Sequence, residues 1–261
     1  LVDSRLQRLG NYSLVAECEQ NAMLLQIFCL QPLLKQFSCI STQKTALGSC
    51  NCQNKNALSI QFCFNGISFL VSNLHLSHKQ ELTEKRMEQF RVYQSKLQKF
   101  CKCSRDFNFQ FVLGDLNFRL DASQFEVLRM TQEQKLQCEQ IRQLLDEFHF
   151  QDLKEVDFPF SYKYSGVRFS DKQVPAWTDR ILYLANIREA VEHLGQVCFC
   201  QICGRKHLQV LQRTGVVGQK KQLKMEVLQY GVVNQFGSDH IPVVGVVEVE
   251  GEVEAYQVVC K

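Results

Sequence analysis

The stretch Phe111–Asp121, FVLGDLNFRLD, sets a short apolar run against a cluster of polar residues. Phe111, Val112 and Leu113 predict the end of a buried strand, and Gly114 lets the backbone turn tightly where that strand stops. Asp115 and Asn117 follow two apart. Strand periodicity puts alternate residues on one face, so this spacing predicts that both address one point in space. Arg119 shares the parity and is expected to brace the loop. A carboxylate and a carboxamide at the mouth of a rigid strand can orient a water molecule or hold a hard cation.

Working outward, FNFQFVLG at 107–114 is the strand that delivers this loop. ALSIQFCF at 57–64, Asn65-Gly66 and ISFLVSNLHL at 67–76 predict a hairpin, because Asn-Gly tolerates the positive φ angles of a tight turn. NAMLLQIFC at 21–29 has strand length. From His78 to Phe100 the spacing becomes helical, with Leu82, Phe90, Tyr93, Leu97 and Phe100 near one face. TQEQ at 131–134 has capping-box form and predicts a helix running to about Phe148. DRILYLA at 179–185, IPVVGVVEVE at 241–250 and EAYQVV at 254–259 predict further strands. Strands and helices interleave without a linker, so the expected architecture is one domain over 1–261, a two-layer β core flanked by helices.

Composition narrows the function classes. Of 261 residues, 45% are hydrophobic and 22% charged, enough apolar surface for a sizeable core. The net charge of +3 and pI near 8.2 give no nucleic-acid footprint. No apolar run approaches the ~18 residues of a membrane span. The first residues carry neither a signal-peptide core nor an initiator Met, so the chain is expected to begin inside a longer protein. Thirteen Cys scattered through strands and helices predict mostly buried, reduced thiols in a cytosolic setting.

Four polar groups sit at predicted strand ends: Asn73 with His75, Asp115 with Asn117, Asp179 with Arg180, and Ser238 with Asp239 and His240. Singly, a His at a strand end is more often structural, and a Gly-Asp is usually a turn. Together they have a chemical logic. Carboxylates suit a divalent cation, and a His partnered by Asp179 or Asp239 can polarise a phosphoryl oxygen. The inventory fits metal-assisted phosphoester hydrolysis that needs no nucleophilic Ser or Cys.

GDLNFR at 114–119 and PAWTDRIL at 175–182 resemble the two signature motifs of inositol polyphosphate 5-phosphatases, and SDHIPV at 238–243 resembles their SDHRPV. SNLHL at 72–76, Lys85-Arg86, FPFSYKY at 158–164 and Asn54-Lys55 are weaker echoes in the same order. The resemblance implies an α/β, DNase I-like fold: a four-layer α/β sandwich with two central mixed β-sheets flanked by helices, here lacking the first strands. It implies Mg²⁺ dependence. Asp115 and Asn117 would activate the attacking water, His240 paired with Asp179 would stabilise charge on the 5-phosphate, and His75 would contact phosphate oxygens. Asp239 would assist the metal. Tyr162 and Lys163 would grip a neighbouring 4-phosphate, with Lys172, Arg180, Asn54 and Lys55 also assigned to substrate binding, although Arg180 is expected to brace rather than touch. Phosphoinositides or soluble inositol phosphates would be the substrates, met at the cytosolic membrane face, with no nucleic acid.

Several departures qualify the resemblance. No WNVN-like strand with its Gln-Glu, the main metal ligand of such enzymes, precedes Tyr12, which predicts an N-terminally incomplete domain with weakened Mg²⁺ binding. An insertion is expected near 190–230. Within it, Cys198, Cys200, Cys203 and His207 allow a zinc reading, against an inserted strand and loop with buried thiols. Ile241 stands where the motif has Arg. LQPLLKQF at 30–37 either packs in the core or dips into a bilayer. Two other classes compete with the hydrolase: a non-catalytic phosphoinositide-binding scaffold and a nuclease of the same superfamily.

Overall fold

Asn65 and Gly66 both take positive φ, 49° and 79°, as the tight turn requires. The turn fixes the register of β4 (Asn56–Phe64) against β5 (Ile67–Leu74), from Phe64 opposite Ile67 to Ala57 opposite Leu74. In the computed structural model, which describes residues 10–48, 55–100, 107–166, 168–170, 173–185, 197–200, 205–208, 223–233 and 238–250, this hairpin lies within a six-stranded sheet. β3 (Phe37–Ala46) pairs with β4 on one side. On the other, β6 (Phe109–Asp115) runs parallel to β5. A parallel neighbour needs a crossover, and α1 (Thr83–Phe100) supplies it. β10 (Asp179–Ala185) is antiparallel to β6, β7 (Gln151–Asp152) closes that edge, and β8 (Tyr164–Ser165) and β9 (Arg168–Phe169) pair with each other outside it.

Alternation along the central strands separates two cores. Leu70, Leu74, Val112 and Leu182 face α1 and α4 (Ile141–Phe148), meeting Met87, Phe90, Tyr93 and Leu144. The opposite residues face a second β layer made of two hairpins. Leu58, Ile60 and Phe62 meet β1 (Tyr12–Gln20) and β2 (Met23–Leu30). Phe111, Ile181 and Tyr183 meet β13 (Lys224–Val232) and β14 (Val243–Glu250). The expected β core of two layers flanked by helices therefore forms. Among the described residues its second layer is two separate hairpins, not one continuous sheet.

Other expectations shift for identifiable reasons. The first helix begins at Thr83 instead of His78, because the guanidinium of Arg86 gathers the carbonyls of Ser77, Lys79 and Gln80 around itself. The Thr131 capping box forms, but the helix behind it breaks into α3 (Gln132–Gln137) and α4. At the break, Leu120 bridges to Glu139 and the Gln140 carboxamide accepts from Arg86 and from the Arg119 amide. Strands β1, β3 and β13 were not anticipated. β3 is rich in Ser, Thr and Gln and lies at a sheet edge, so it lacks a clean apolar alternation.

The 30–37 loop holds a 3₁₀ turn, Gln31–Gln36, with Leu30 and Leu34 exposed rather than in the core. It docks beside the Asn65 turn, whose amide donates to the Gln36 carbonyl at 3.3 Å. Val197–Cys200 and Arg205–Leu208 pair as a hairpin, with Cys198 opposite His207 in register. The side chains behind the zinc reading, and the expected strand at 254–259, lie outside the described residues.

Candidate active site

Three strand ends meet at one rim of the central sheet. β6 ends at Asp115 and β10 begins at Asp179, and these two residues are direct cross-strand partners. Like charges opposed in this way are destabilising unless something positive lies between them. His240 does so. Its Nδ1 lies 2.7 Å from Asp179 Oδ2, and its Nε2 lies 4.0 Å from Asp115 Oδ2. Burial alone would lower the imidazole pKa, but the hydrogen bond and charge of Asp179, then Asp115 and Asp239, hold it above its ordinary value. Asp115 is pushed up to about 6 by burial first and by the Asp179 charge second. Thr178 Oγ1 donates to Asp179 Oδ2 at 3.0 Å, and the Asp179 amide donates to Ser161 Oγ at 3.1 Å, so the carboxylate behind His240 is itself held.

Gly114 makes the Asp115 corner possible. Its φ is +116°, and a Cβ there would stand 2.4 Å from both Asn73 Oδ1 and the Leu74 carbonyl. Any side chain would push β5 off β6. That contact also brings in His75, just past β5, whose Nε2 lies 3.6 Å from Asp115 Oδ2. Lys55 is buried and its Nζ lies 2.6 Å from the same Nε2. With the ammonium donating, Nε2 accepts and the ring proton sits on Nδ1.

Asn117 departs from the parity expected of it. The chain leaves the strand at Asp115 and Asn117 takes φ +56°, so strand alternation no longer governs its direction. It is 2% exposed, and both ends of its carboxamide are engaged. Nδ2 donates to the Leu76 carbonyl at 3.1 Å, and Oδ1 accepts from Arg119 at 2.8 Å. Its amide donates to Asp115 Oδ1 at 3.2 Å, so Asn117 aims the carboxylate.

The remaining predicted residues divide. Tyr162 packs its ring against His240 with centroids 4.6 Å apart and planes tilted by 42°, while its hydroxyl donates to Gln173 Oε1 at 2.8 Å. Lys163 lies beside it at the mouth, 3.7 Å from Asp239 Oδ2. Asp239 is not among the three residues whose ligand atoms converge within 4.8 Å, which are Asp115, Asp179 and His240. Arg180 points away from all of these. It is buried between Asp152 and Glu139, with Nε 2.8 Å from Asp152 Oδ1 and NH1 2.5 Å from Glu139 Oε1. Burial would lower its pKa, but Asp152 and then Glu139 hold it well above the usual range. Asn54 and Lys172 lie outside the described residues. Sequence reasoning missed Thr178, Ser161 and Gln140, neutral residues whose importance lies in what they hold.

Two carboxylates at an open sheet rim, with the imidazole beside them, offer hard oxygen donors to a divalent cation that keeps part of its water shell. The sequence profile of the Endonuclease/Exonuclease/phosphatase family 2 matches residues 2–246. The chain belongs to this family. Among its relatives, synaptojanin-2 of Rattus norvegicus is 28% identical over 264 residues, covering 94% of this chain and 17% of the relative. Phosphatidylinositol 3,4,5-trisphosphate 5-phosphatase 2 of Mus musculus is 32% identical over 179 residues, covering 57% of this chain and 14% of the relative. The chain thus spans less than a fifth of the length of these curated relatives, 17% and 14%.

Solved structures extend the family likeness to the fold. The inositol polyphosphate 5-phosphatase domain of SPsynaptojanin, in complex with inositol (1,4)-bisphosphate and calcium ion, superposes with a TM-score of 0.69 at 18% identity, over 96% of this chain and 69% of that one. A Cimex nitrophorin in its ferrous NO complex gives 0.66 at 16% identity, over 95% of this chain and 78% of that one. Members of one fold hold an inositol phosphate in one case and nitric oxide in the other. The fold alone does not choose the chemistry, and the rim residues must.

Proposed function

We propose that this domain is a Mg²⁺-dependent phosphatase that removes the 5-phosphate from phosphoinositides or soluble inositol polyphosphates. The observation that carries the reading is the Asp179–His240–Asp115 convergence at the rim of the sheet. It supports a reaction in which water attacks phosphorus without a covalent enzyme intermediate. Asp115, at the end of β6 with one carboxylate oxygen fixed by the Asn117 amide, would orient that water and take its proton. His240, kept protonated by Asp179, donates to a phosphoryl oxygen as negative charge gathers there. Asn117 aims Asp115, and Tyr162 acts through its ring as the wall that sets His240. Lys163 at the mouth would offer a cation to a neighbouring phosphate; the same role is assigned to Lys172, Asn54 and Lys55, of which Lys55 is buried with its ammonium 2.6 Å from His75 Nε2. His75, 3.6 Å from Asp115, would contact phosphate oxygens beside the attacking water. Asp115 and Asp179 would hold Mg²⁺, with Asp239 assisting; the ion would neutralise charge on the transferred phosphoryl group as the bond to the inositol oxygen breaks, and that oxygen would leave as an alcohol after taking a proton from solvent. The domain is taken as 1–261, with the insertion near 190–230 outside the chemistry.

A surface near the rim fits work at a cytosolic membrane face. Leu24 is 43% exposed, and its carbonyl accepts from Asn73 Nδ2 at 3.1 Å, two residues before His75. The 30–37 loop is not that surface. It sits at the Asn65 turn, and the 8 residues of β5 put it about 26 Å from His75.

Phosphate release from phosphatidylinositol 4,5-bisphosphate vesicles and from inositol 1,4,5-trisphosphate, with Mg²⁺ and with chelator, tests the reading. Mg²⁺-dependent release that disappears in His240→Ala is expected. Absence of release from both substrates would overturn it, and cleavage of DNA in their place would favour a nuclease.

A further inference from the structure

We propose that Arg119 is a positioning residue that sets Asp115 and His240 relative to one another through two separate contact chains. The geometric inference stands by itself, and only its kinetic consequence rests on the phosphatase reading above. Arg119 is 4% exposed. One terminal nitrogen donates to Asn117 Oδ1 at 2.8 Å and to the His78 carbonyl at 3.1 Å. The guanidinium carbon lies 4.4 Å from the centroid of the Tyr162 ring, whose centroid is 4.6 Å from that of His240. One chain therefore runs from Arg119 through Asn117 to Asp115 Oδ1. The other runs from Arg119 through Tyr162 to His240.

The partners Arg119 touches are neutral: a carboxamide, a backbone carbonyl and an aromatic face. A buried guanidinium in such company is a poor source of fold stability compared with an apolar side chain of the same volume. Its residue type is explained by geometry. A planar guanidinium can donate in its plane while stacking with its face, whereas a Lys ammonium cannot do both in fixed directions. The three groups it joins belong to the loop after β6, the loop after β5 and the 158–164 segment, which converge at this rim. In Arg180 the charge is used on Asp152 and Glu139, which makes the contrast between the two arginines a difference of role.

Arg119→Gln and Arg119→Lys, compared with the unaltered protein, test the proposal by two readouts. In spectra of protein carrying labelled Asn and His, the Asn117 carboxamide is expected to exchange slowly and His240 to show the ring-current shift of Tyr162. Arg119→Gln should lose both, and Arg119→Lys should recover the His240 shift but not the Asn117 protection. In turnover of inositol 1,4,5-trisphosphate, Arg119→Gln should lower kcat by about tenfold to a hundredfold with KM within about threefold. Unchanged Asn117 and His240 signals in either variant would overturn the proposal. So would their joint loss in Arg119→Lys with a matching fall in melting temperature, which is the signature of a merely structural residue. Should Arg119→Gln fail to fold, the separate responses of the two signals in Arg119→Lys decide. If the unaltered protein releases no phosphate, the phosphatase reading falls while the spectra still judge Arg119.

Discussion

Asp115 and Asp179, the last residue of β6 and the first of β10, stand directly opposite one another and share a single imidazole. The pairing opposes stability, and its cost is greatest when the carboxylates are ionised and no cation is bound. Because the Asp115 pKa is raised to about 6, the folded state holds that proton more tightly than the unfolded chain does. Its share of stability is therefore present below about pH 4 and lost as pH rises to about 6. Asp115→Asn is expected to stabilise the metal-free protein at pH 7 by about 1 to 3 kcal/mol while abolishing phosphate release. Urea unfolding at pH 7 and pH 4 checks this, since the gain should shrink at the lower pH. An Asn variant less stable at pH 7 would contradict it.

The bond from His240 to Asp179 sets a second pH dependence. With its pKa raised, His240 contributes stability below its unfolded value near 6.5 and loses that contribution as pH rises through the folded value. The same protonation limits catalysis on the alkaline side. Asp179→Asn removes the largest favourable influence on the imidazolium, and the alkaline limb of the kcat/KM profile should move to lower pH. The residual activity should accordingly be greater at pH 6 than at pH 8 relative to the unaltered protein. A profile lowered evenly at every pH would assign Asp179 a different role.

Arg180 supplies stability in place of chemistry. Burial pushes the Glu139 carboxyl up and the Arg180 charge pulls against it. Arg180→Leu would leave Glu139 and Asp152 without their cation and should cost about 3 to 5 kcal/mol. A triple replacement that also neutralises Glu139 and Asp152 should recover most of the loss. Thermal melting of the two variants side by side gives the answer, and equal melting temperatures would refute it.

Membrane engagement separates Leu24 from Leu34. If the rim meets the bilayer, Leu24→Glu should reduce turnover of vesicle-borne substrate by about tenfold or more and leave the soluble head group unaffected, because burial of one Leu is worth roughly 1.5 to 3 kcal/mol. Leu34→Glu, at the far end of β5, should change neither. Vesicle sedimentation and parallel assays on both substrates distinguish the two. An effect confined to Leu34 would place the contact at the opposite end of the molecule.

What the sequence revealed, and what it concealed, follows from the range of the interactions involved. Asn65-Gly66 and the Thr131 capping box depend on neighbours within a few residues, and both form. The β5–β6–β10 adjacency at the site was anticipated only as separate strand ends, because pairing Asp115 with Asp179 is a matter of register between distant segments. Asn117 misled for a local reason: periodicity assumes the strand continues, and the left-handed turn after Asp115 ends it. Arg180 and Arg119 are indistinguishable by type, and only their burial partners separate an ionic staple from a stacked spacer. Gln140 carried no signal at all, although it ties Arg86, the Arg119 amide and Asp121 together.

The rim is mechanically uneven. At its floor, the Leu76 amide bonds the Asp115 carbonyl at 3.1 Å, the Leu116 amide bonds the Thr178 carbonyl at 2.8 Å, and Asn117 ties both strand ends to Leu76. At its mouth, Lys163 and Asp239 meet at 3.7 Å with side chains 30% and 48% exposed. A pair so wet adds little rigidity. On the phosphatase reading, the reacting phosphate would be addressed by a frame that yields only if the central sheet yields. The rest of the substrate is addressed by side chains that can rotate independently of it. On the phosphatase reading, substitutions at Lys163 and Asp239 can alter which ring is accepted while Ser161 and Tyr162, in the same stretch of chain, keep Asp179 and His240 in place.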